Sequence, residues 1–153
     1  MEIVVDTNIF VKALFFRDEH AALVLKNEQK GFYLFVLSDK MFGELQYELG
    51  QHVISAFHDN VSKANKVYQD ISGCLWRCRR LNPKKGVDYS SDPSDNEFIA
   101  CAIEAGVEYI VTENTEHFTG ESPILNCRKK PIHVLSPYQF NNEVLRLKVS
   151  GSL

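Results

Sequence analysis

The chain predicts an α/β fold: three layers, α/β/α, around a mostly parallel central sheet. Three observations carry that expectation. Short continuous runs of β-branched and aromatic residues (1–5, 32–37, 107–111 and 132–135) read as strands buried on both faces. Stretches of helical period separate them. The resulting order of strand, helices, strand, helices, helix, strand, strand, helix belongs to a sheet wrapped by crossover helices.

Taken in order, residues 1–5 form the first strand and Asp6 follows it at once. Ile9, Phe10, Ala13 and Leu14 then recur as a helical turn or two. A further helix spans about 19–29, where Ala22, Leu23, Leu25 and Lys26 repeat roughly at helical spacing and Gly31 ends the run. After the strand at 32–37, Ser38 or Asp39 caps a helix from about 40 into the fifties. Met41, Phe42, Leu45, Leu49 and Val53 are its apolar stripe, with Glu44 beside it. Its partner covers about 60–80 (Val61, Ala64, Val67, Ile71, Leu75, Trp76), with a bend at 58–60 and Trp76 expected to pack in the core. Residues 82–91 read as irregular connection. Asp92 at N-cap, Pro93 in the first helical position and Gly106 past the end predict a helix over 93–105. A strand at 107–111, a polar cluster at 112–117, a strand at 132–135 and a helix from Ser136-Pro137 to about 147 complete the chain. One domain over 1–149 with a frayed end at 150–153 accounts for its length.

The composition is that of an ordinary globular protein: 153 residues, 44% hydrophobic, 24% charged, net charge −3. The mild negative charge argues against gripping nucleic acid by bulk electrostatics, though not against an enzyme with a local basic path. Cys74, Cys78, Cys101 and Cys127 contain no C-x-x-C pair, so neither a disulfide framework nor a zinc site is expected. Cys101 lies in an apolar helix as a small hydrophobe. No run approaches the ~20 apolar residues of a membrane span, and residues 1–5 lack the pattern of a secretory leader. A cytoplasmic protein is expected, with no membrane partner.

The chemistry gathers in acids far apart in sequence. Asp6 ends the first strand, Glu44 opens the helix after the second, and Asp95 starts the helix before the third. Parallel neighbouring strands would bring all three to one edge, where ligands bind in such sheets. Carboxylates packed together repel unless a cation joins them. Hard divalent ions take such oxygen ligands, lower the pKa of water and neutralise charge on a phosphodiester. No Gly-rich phosphate loop is present, which removes nucleoside triphosphate hydrolysis. A phosphotransferase with Asp6 as nucleophile wants a second aspartate two positions on, and Asn8 stands there.

Val4-Val5-Asp6-Thr7-Asn8, Glu44 within Phe42-Gly43-Glu44-Leu45, Asp95-Asn96 before an alanine-rich helix, and Tyr109-Ile110-Val111-Thr112 followed by Asn114 resemble the PIN domain family over about residues 3–135. The resemblance implies a PIN-like fold of the 5′-nuclease superfamily and a metal-dependent endoribonuclease of the VapC-like, toxin–antitoxin type. It implies Asp6, Glu44 and Asp95 as catalytic, metal-binding acids for Mg2+ or Mn2+. Thr7, Asn8 and Thr112 fall on polar positions lining the same pocket. It further implies an RNA substrate, a homodimer, and a small antitoxin docking on the hairpin at about 40–80. Many members carry another acid after the Val-Thr. Here Asn114 and His117 occupy such positions, with Glu116 as a substitute and Asp92 as a spare carboxylate. One well-held ion follows, with a second weakened first.

Plainer roles compete. Asp6 can bond the next helix's amides, Asp92 can be an N-cap, and Asp95 can serve the helix dipole beside a Ser94–Glu97 capping box. His117 can be a surface residue. The basic cluster Arg77, Arg79, Arg80, Lys84 and Lys85 is either a solvated face or an RNA phosphate track, and Arg128, Lys129 and Lys130 form a smaller cluster. Replacement of the fourth acid leaves a second functional class open, a catalytically weak PIN-like module that binds RNA or protein.

Overall fold

The computed structural model describes residues 1–119, 124–125 and 130–146. Strands β1 (Glu2–Val5), β2 (Leu34–Leu37), β3 (Arg79–Arg80), β4 (Tyr109–Val111), β5 (Ile124–Leu125) and β6 (Ile132–Leu135) form one sheet in the order β3-β2-β1-β4-β6-β5. All neighbours are parallel except β5, which runs antiparallel to β6 at the edge. Helices α1 (Thr7–Phe15), α2 (Glu19–Gln29), α3 (Asp39–Phe57), α4 (Val61–Arg77), α5 (Asp95–Ala105) and α6 (Thr115–Thr119) flank it. A short α7 (Pro137–Gln139) runs into a π-helical segment, Phe140–Leu145, where a plain helix was expected.

The central strands are apolar on both faces because helices cover both. Ile3, Val4, Val5, Phe35, Val36, Leu37, Ile110, Val111 and Val134 are all fully buried, each side chain contributing about 1.5–3 kcal/mol relative to exposure. β1 sits between β2 and β4. The chain leaves β1 towards β2 and β3, then crosses back to enter β4 on the other side. That reversal opens a crevice at the C-terminal ends of β1 and β4, where ligands bind in open α/β sheets.

Several sequence expectations need correction. Residues 79–80 are strand rather than helix end: Cys78 is extended (φ −60°, ψ 138°), and Arg79 and Arg80 then pair with Val36 and Leu37. The free edge of β2 outweighs helical propensity there. Trp76 is not core but 88% exposed, because α4 turns Ile71 and Cys74 inward. In α2 the buried face is Ala21, Val24, Leu25, Asn27 and Glu28, with Ala22 and Leu23 outside. Helix α5 starts at Asp95, two residues late, since Asp92 to Ser94 form a separate turn. Cys101 is buried as expected, and burial pushes its thiol up to about 12. Cys127, Arg128, Lys129 and the expected frayed end at 150–153 lie outside the described residues.

One buried ion pair ties the layers. The Glu28 carboxylate, wholly inaccessible, accepts from Arg77 Nε at 3.0 Å and Nη2 at 2.7 Å, clamping α2 to α4. Removing one partner of such a pair strands the other charge. Arg77→Ala is expected to lower the urea-unfolding free energy by about 2–3 kcal/mol, the figure being reduced from a fully buried pair because Arg77 is half-exposed. The double replacement Glu28→Leu with Arg77→Leu should lose less than Arg77→Ala alone; an equal or larger loss would show that the pair is not the source.

Candidate active site

Asp6 is held at the crevice by two hydrogen bonds and by the sheet itself. Its N–H donates to Val111 O at 2.9 Å, extending the β1–β4 ladder by one residue. The carboxylate then N-caps α1, Oδ1 accepting from the Asn8 N–H at 3.0 Å. Oδ2 accepts the Thr112 hydroxyl at 2.7 Å from across the crevice. Asp6 and Thr112 are both buried. The plain capping role of Asp6 is therefore real, and each oxygen keeps a lone pair for a further ligand. Thr7 is also buried, whereas Asn8 is exposed at the rim.

Asp95 opens α5 on the same side. It is buried, with Ser90 Oγ at 3.4 Å and His117 Nδ1 at 3.4 Å, both on Oδ2. The Ser90 hydroxyl has one proton, and the 2.7 Å bond to His117 O takes it. Asp95 is consequently short of donors. Burial raises its pKa first, then the charges of Asp92 and Asp6; His117 and Ser90 oppose this. The carboxyl of Asp92 lies below the usual range because Ser94 Oγ and N donate to it. Asp92 thus caps a turn and not the helix; the Ser94 side chain makes no cap bond, so the Ser94–Glu97 box is not formed.

Ligand atoms of Asp92, Asp95 and His117 lie within 4.8 Å of one another, an arrangement suited to a cation. His117 reaches it because α6 packs on α5 through Phe118 and Phe98 (ring centroids 6.3 Å). Glu44 is exposed on α3 and makes no hydrogen bond or ion pair with a described residue. Asn114 and Glu116 are exposed at the rim, the Asn114 N–H donating to Thr112 Oγ1 at 3.1 Å.

Sequence reasoning missed Ser90, buried between Asp92 and His117. It also gave no role to Asn96, whose Oδ1 accepts from Tyr89 N and Ser90 N at 2.9 Å and fixes the loop against α5. The paired serines in an otherwise irregular stretch were the available signal.

The basic cluster is largely spent on structure. Arg77 pairs with Glu28, Arg79 with Glu2 and Arg80 with Asp39, the last also lying 3.4 Å over the Phe42 ring. Lys84, Lys85 and Lys130 are exposed and form no ion pair with a described residue.

A family model described as PIN domain matches residues 2–116. The chain belongs to the PIN domain family. Among solved structures, this PIN domain is similar to that of VapBC2 from Rickettsia felis bound to a DNA fragment from its promoter. The TM-score is 0.51 and the identity 15%, with 89% of this chain and 98% of that one covered. At that identity the likeness shows the fold, which is PIN-like. The recombination protein RecR of Koribacter versatilis (strain Ellin345) is 24% identical over 106 residues. Those residues are 67% of this chain and 53% of RecR, so the PIN domain chain spans about half the length of that curated relative. No helix among the described residues is long and apolar enough to cross a membrane.

The raised pKa of Asp95 gives a stability prediction. A carboxyl titrating higher in the folded than in the unfolded chain destabilises the fold where it is ionised, and the penalty vanishes as pH falls below the unfolded value. In metal-free buffer, Asp95→Asn is expected to raise the melting temperature at pH 7, the gain shrinking towards pH 3. A gain that is constant with pH, or a loss at pH 7, would show that charge crowding is absent.

Proposed function

We propose that this PIN domain is a metal-dependent endoribonuclease that hydrolyses RNA phosphodiester bonds, acting as the toxin of a toxin–antitoxin pair. The observation that carries the reading is the gathering of Asp92, Asp95 and His117, with ligand atoms within 4.8 Å of one another, beside Asp6, whose charge also acts on the buried Asp95 carboxyl. Family membership points the same way.

The donor set suits a divalent cation. Carboxylate oxygens are the ligands hard ions take, and one imidazole nitrogen among them is better tolerated by Mn2+ than by Mg2+. Asp92, Asp95 and His117 would hold the ion, with the Asp6 carboxylate beside them, and the ion when bound supplies Lewis acidity to the phosphodiester and lowers the pKa of water. Glu44 remains a proposed further acid, from its place in the family's pattern. The chain's own contribution is placement. Thr112 and the Asn8 N–H fix the Asp6 carboxylate. Ser90 and Asn96 fix the loop carrying Asp92. With the arginines paired, substrate phosphates are drawn by the bound cation and by Lys84 and Lys85, not by a continuous basic track. The VapBC2 likeness supports an antitoxin partner and a dimer, and the α3–α4 hairpin is the surface proposed for the former.

Asp6→Asn and Asp95→Asn are each expected to reduce Mn2+-dependent cleavage of single-stranded RNA by about a thousandfold or more, as the cation's stabilisation of charge is lost. Added Mn2+ should raise the wild-type melting temperature and leave Asp95→Asn unmoved. Wild-type protein that shows no metal-dependent thermal shift and no cleavage would instead be a binding module. Glu44→Gln separates the acids: activity close to wild type removes Glu44 from the site.

A further inference from the structure

We propose that the cavity beside the acid cluster binds a nucleobase of single-stranded RNA, stacked on Phe16 and contacted at its edge by Asn8 and Asn114. This subsite rests on the nuclease reading for its purpose but not for its existence. The cavity measures about 420 Å3, within the range of small-ligand sites, and Val11, Lys12, Phe16 and the two asparagines line it.

It is continuous with the acids through the backbone. Asn8 lies two residues after Asp6 and hydrogen-bonds it, and Asn114 lies two residues after Thr112 and hydrogen-bonds that. A base in the cavity therefore lies next to the crevice where its phosphodiester would meet the carboxylates. Neither asparagine side-chain amide makes a hydrogen bond with a described residue, so both offer a donor and an acceptor to a ring edge. Phe16 is 65% exposed, a large apolar ring at the cavity wall braced edge-on by His52 at 5.9 Å. The turn that presents it is unusual: Arg17 has φ 54°, the left-handed region that side chains rarely adopt. Exposed aromatics beside a polar edge are how proteins hold unpaired bases.

Charge selects the base over the phosphate. Glu113 and Asp18 also line the cavity, against one lysine; Lys12 contacts Glu113 at 3.6 Å and Asp18 caps α2. A phosphate would be repelled there, whereas a neutral ring with edge amino groups finds acceptors.

The test is chemical-shift mapping of the full 15N-labelled chain in EDTA, with nucleoside 5′-monophosphates and ribose 5-phosphate as probes. Nucleotides should shift the Asn8 and Asn114 side-chain amides and the backbone amides of residues 12–18, and ribose 5-phosphate should not. Phe16→Ala should weaken nucleotide binding by about tenfold or more, the loss typical of one stacked base; Phe16→Tyr should retain it. Shifts that ribose 5-phosphate reproduces, shifts confined elsewhere, or Phe16→Ala binding as wild type would overturn the proposal. Metal-dependent cleavage without cavity shifts would sink this subsite alone, while cavity shifts in a protein that cleaves nothing would sink the nuclease reading alone.

Discussion

The hydrogen bond from Thr112 to Asp6 joins the two strands between which the sheet reverses its order, and the rest of the site is arranged around it. At 2.7 Å between buried atoms, it fixes one carboxylate oxygen in a place that water cannot freely reach. Such a bond to a charged acceptor contributes more than a neutral one. It does so without neutralising the charge, since a hydroxyl brings no cation. The Asp6 carboxylate is thus positioned by a neutral donor, where a salt bridge would have tied it to a side-chain cation. The protein spends its ion pairs elsewhere, at Glu28–Arg77, Glu2–Arg79 and Asp39–Arg80.

That division explains the electrostatics of the whole molecule. All three arginines around β3 have carboxylate partners, and the acids at the crevice have only a half-exposed histidine. Packing like charges at a helix start is partly offset by the dipole of α5, whose first turn holds Asp95 and Glu97. The pKa of Asp95 is raised nonetheless, first by its burial and then by the Asp92 and Asp6 charges. Local instability of this kind, kept where a fold normally binds ligands, marks function better than any single residue type.

Much of this was legible in the sequence because its causes are local. Asp6 directly after a β-branched run, Gly106 at the end of an apolar stretch, and Thr112 after Ile110-Val111 each announce an element boundary by backbone chemistry. Gly106 takes the left-handed conformation expected of it (φ 69°). What stayed hidden depends on distant neighbours. Trp76 follows helical spacing, yet which face of α4 meets the protein is decided by α2 and Glu28. Arg79 and Arg80 read as a helix end until β2 offers an unpaired edge. Ser90 carries no motif, and Asn96, although it stands in the Asp95-Asn96 pair, takes its structural role only once the loop folds back onto α5. Glu44 is read as a site acid from its place in the pattern, and in the folded chain it is exposed and makes no hydrogen bond or ion pair with a described residue.

On the nuclease reading proposed above, histidine at position 117 changes how the site would hold its substrate. An acid there would add a fourth negative charge and demand more cation. Histidine, when neutral, adds a donor without charge; when protonated, it lowers the repulsion at Asp95 by itself. The site therefore tolerates being empty better than an all-carboxylate cluster does. It also attracts a cation less strongly at long range. On that nuclease reading, a less charged metal site would leave more of the recruitment to other contacts. Contacts to the uncharged part of the nucleotide gain weight in proportion, and the surface next to Asp6 with uncommitted amides and an exposed ring is the cavity edged by Asn8, Asn114 and Phe16.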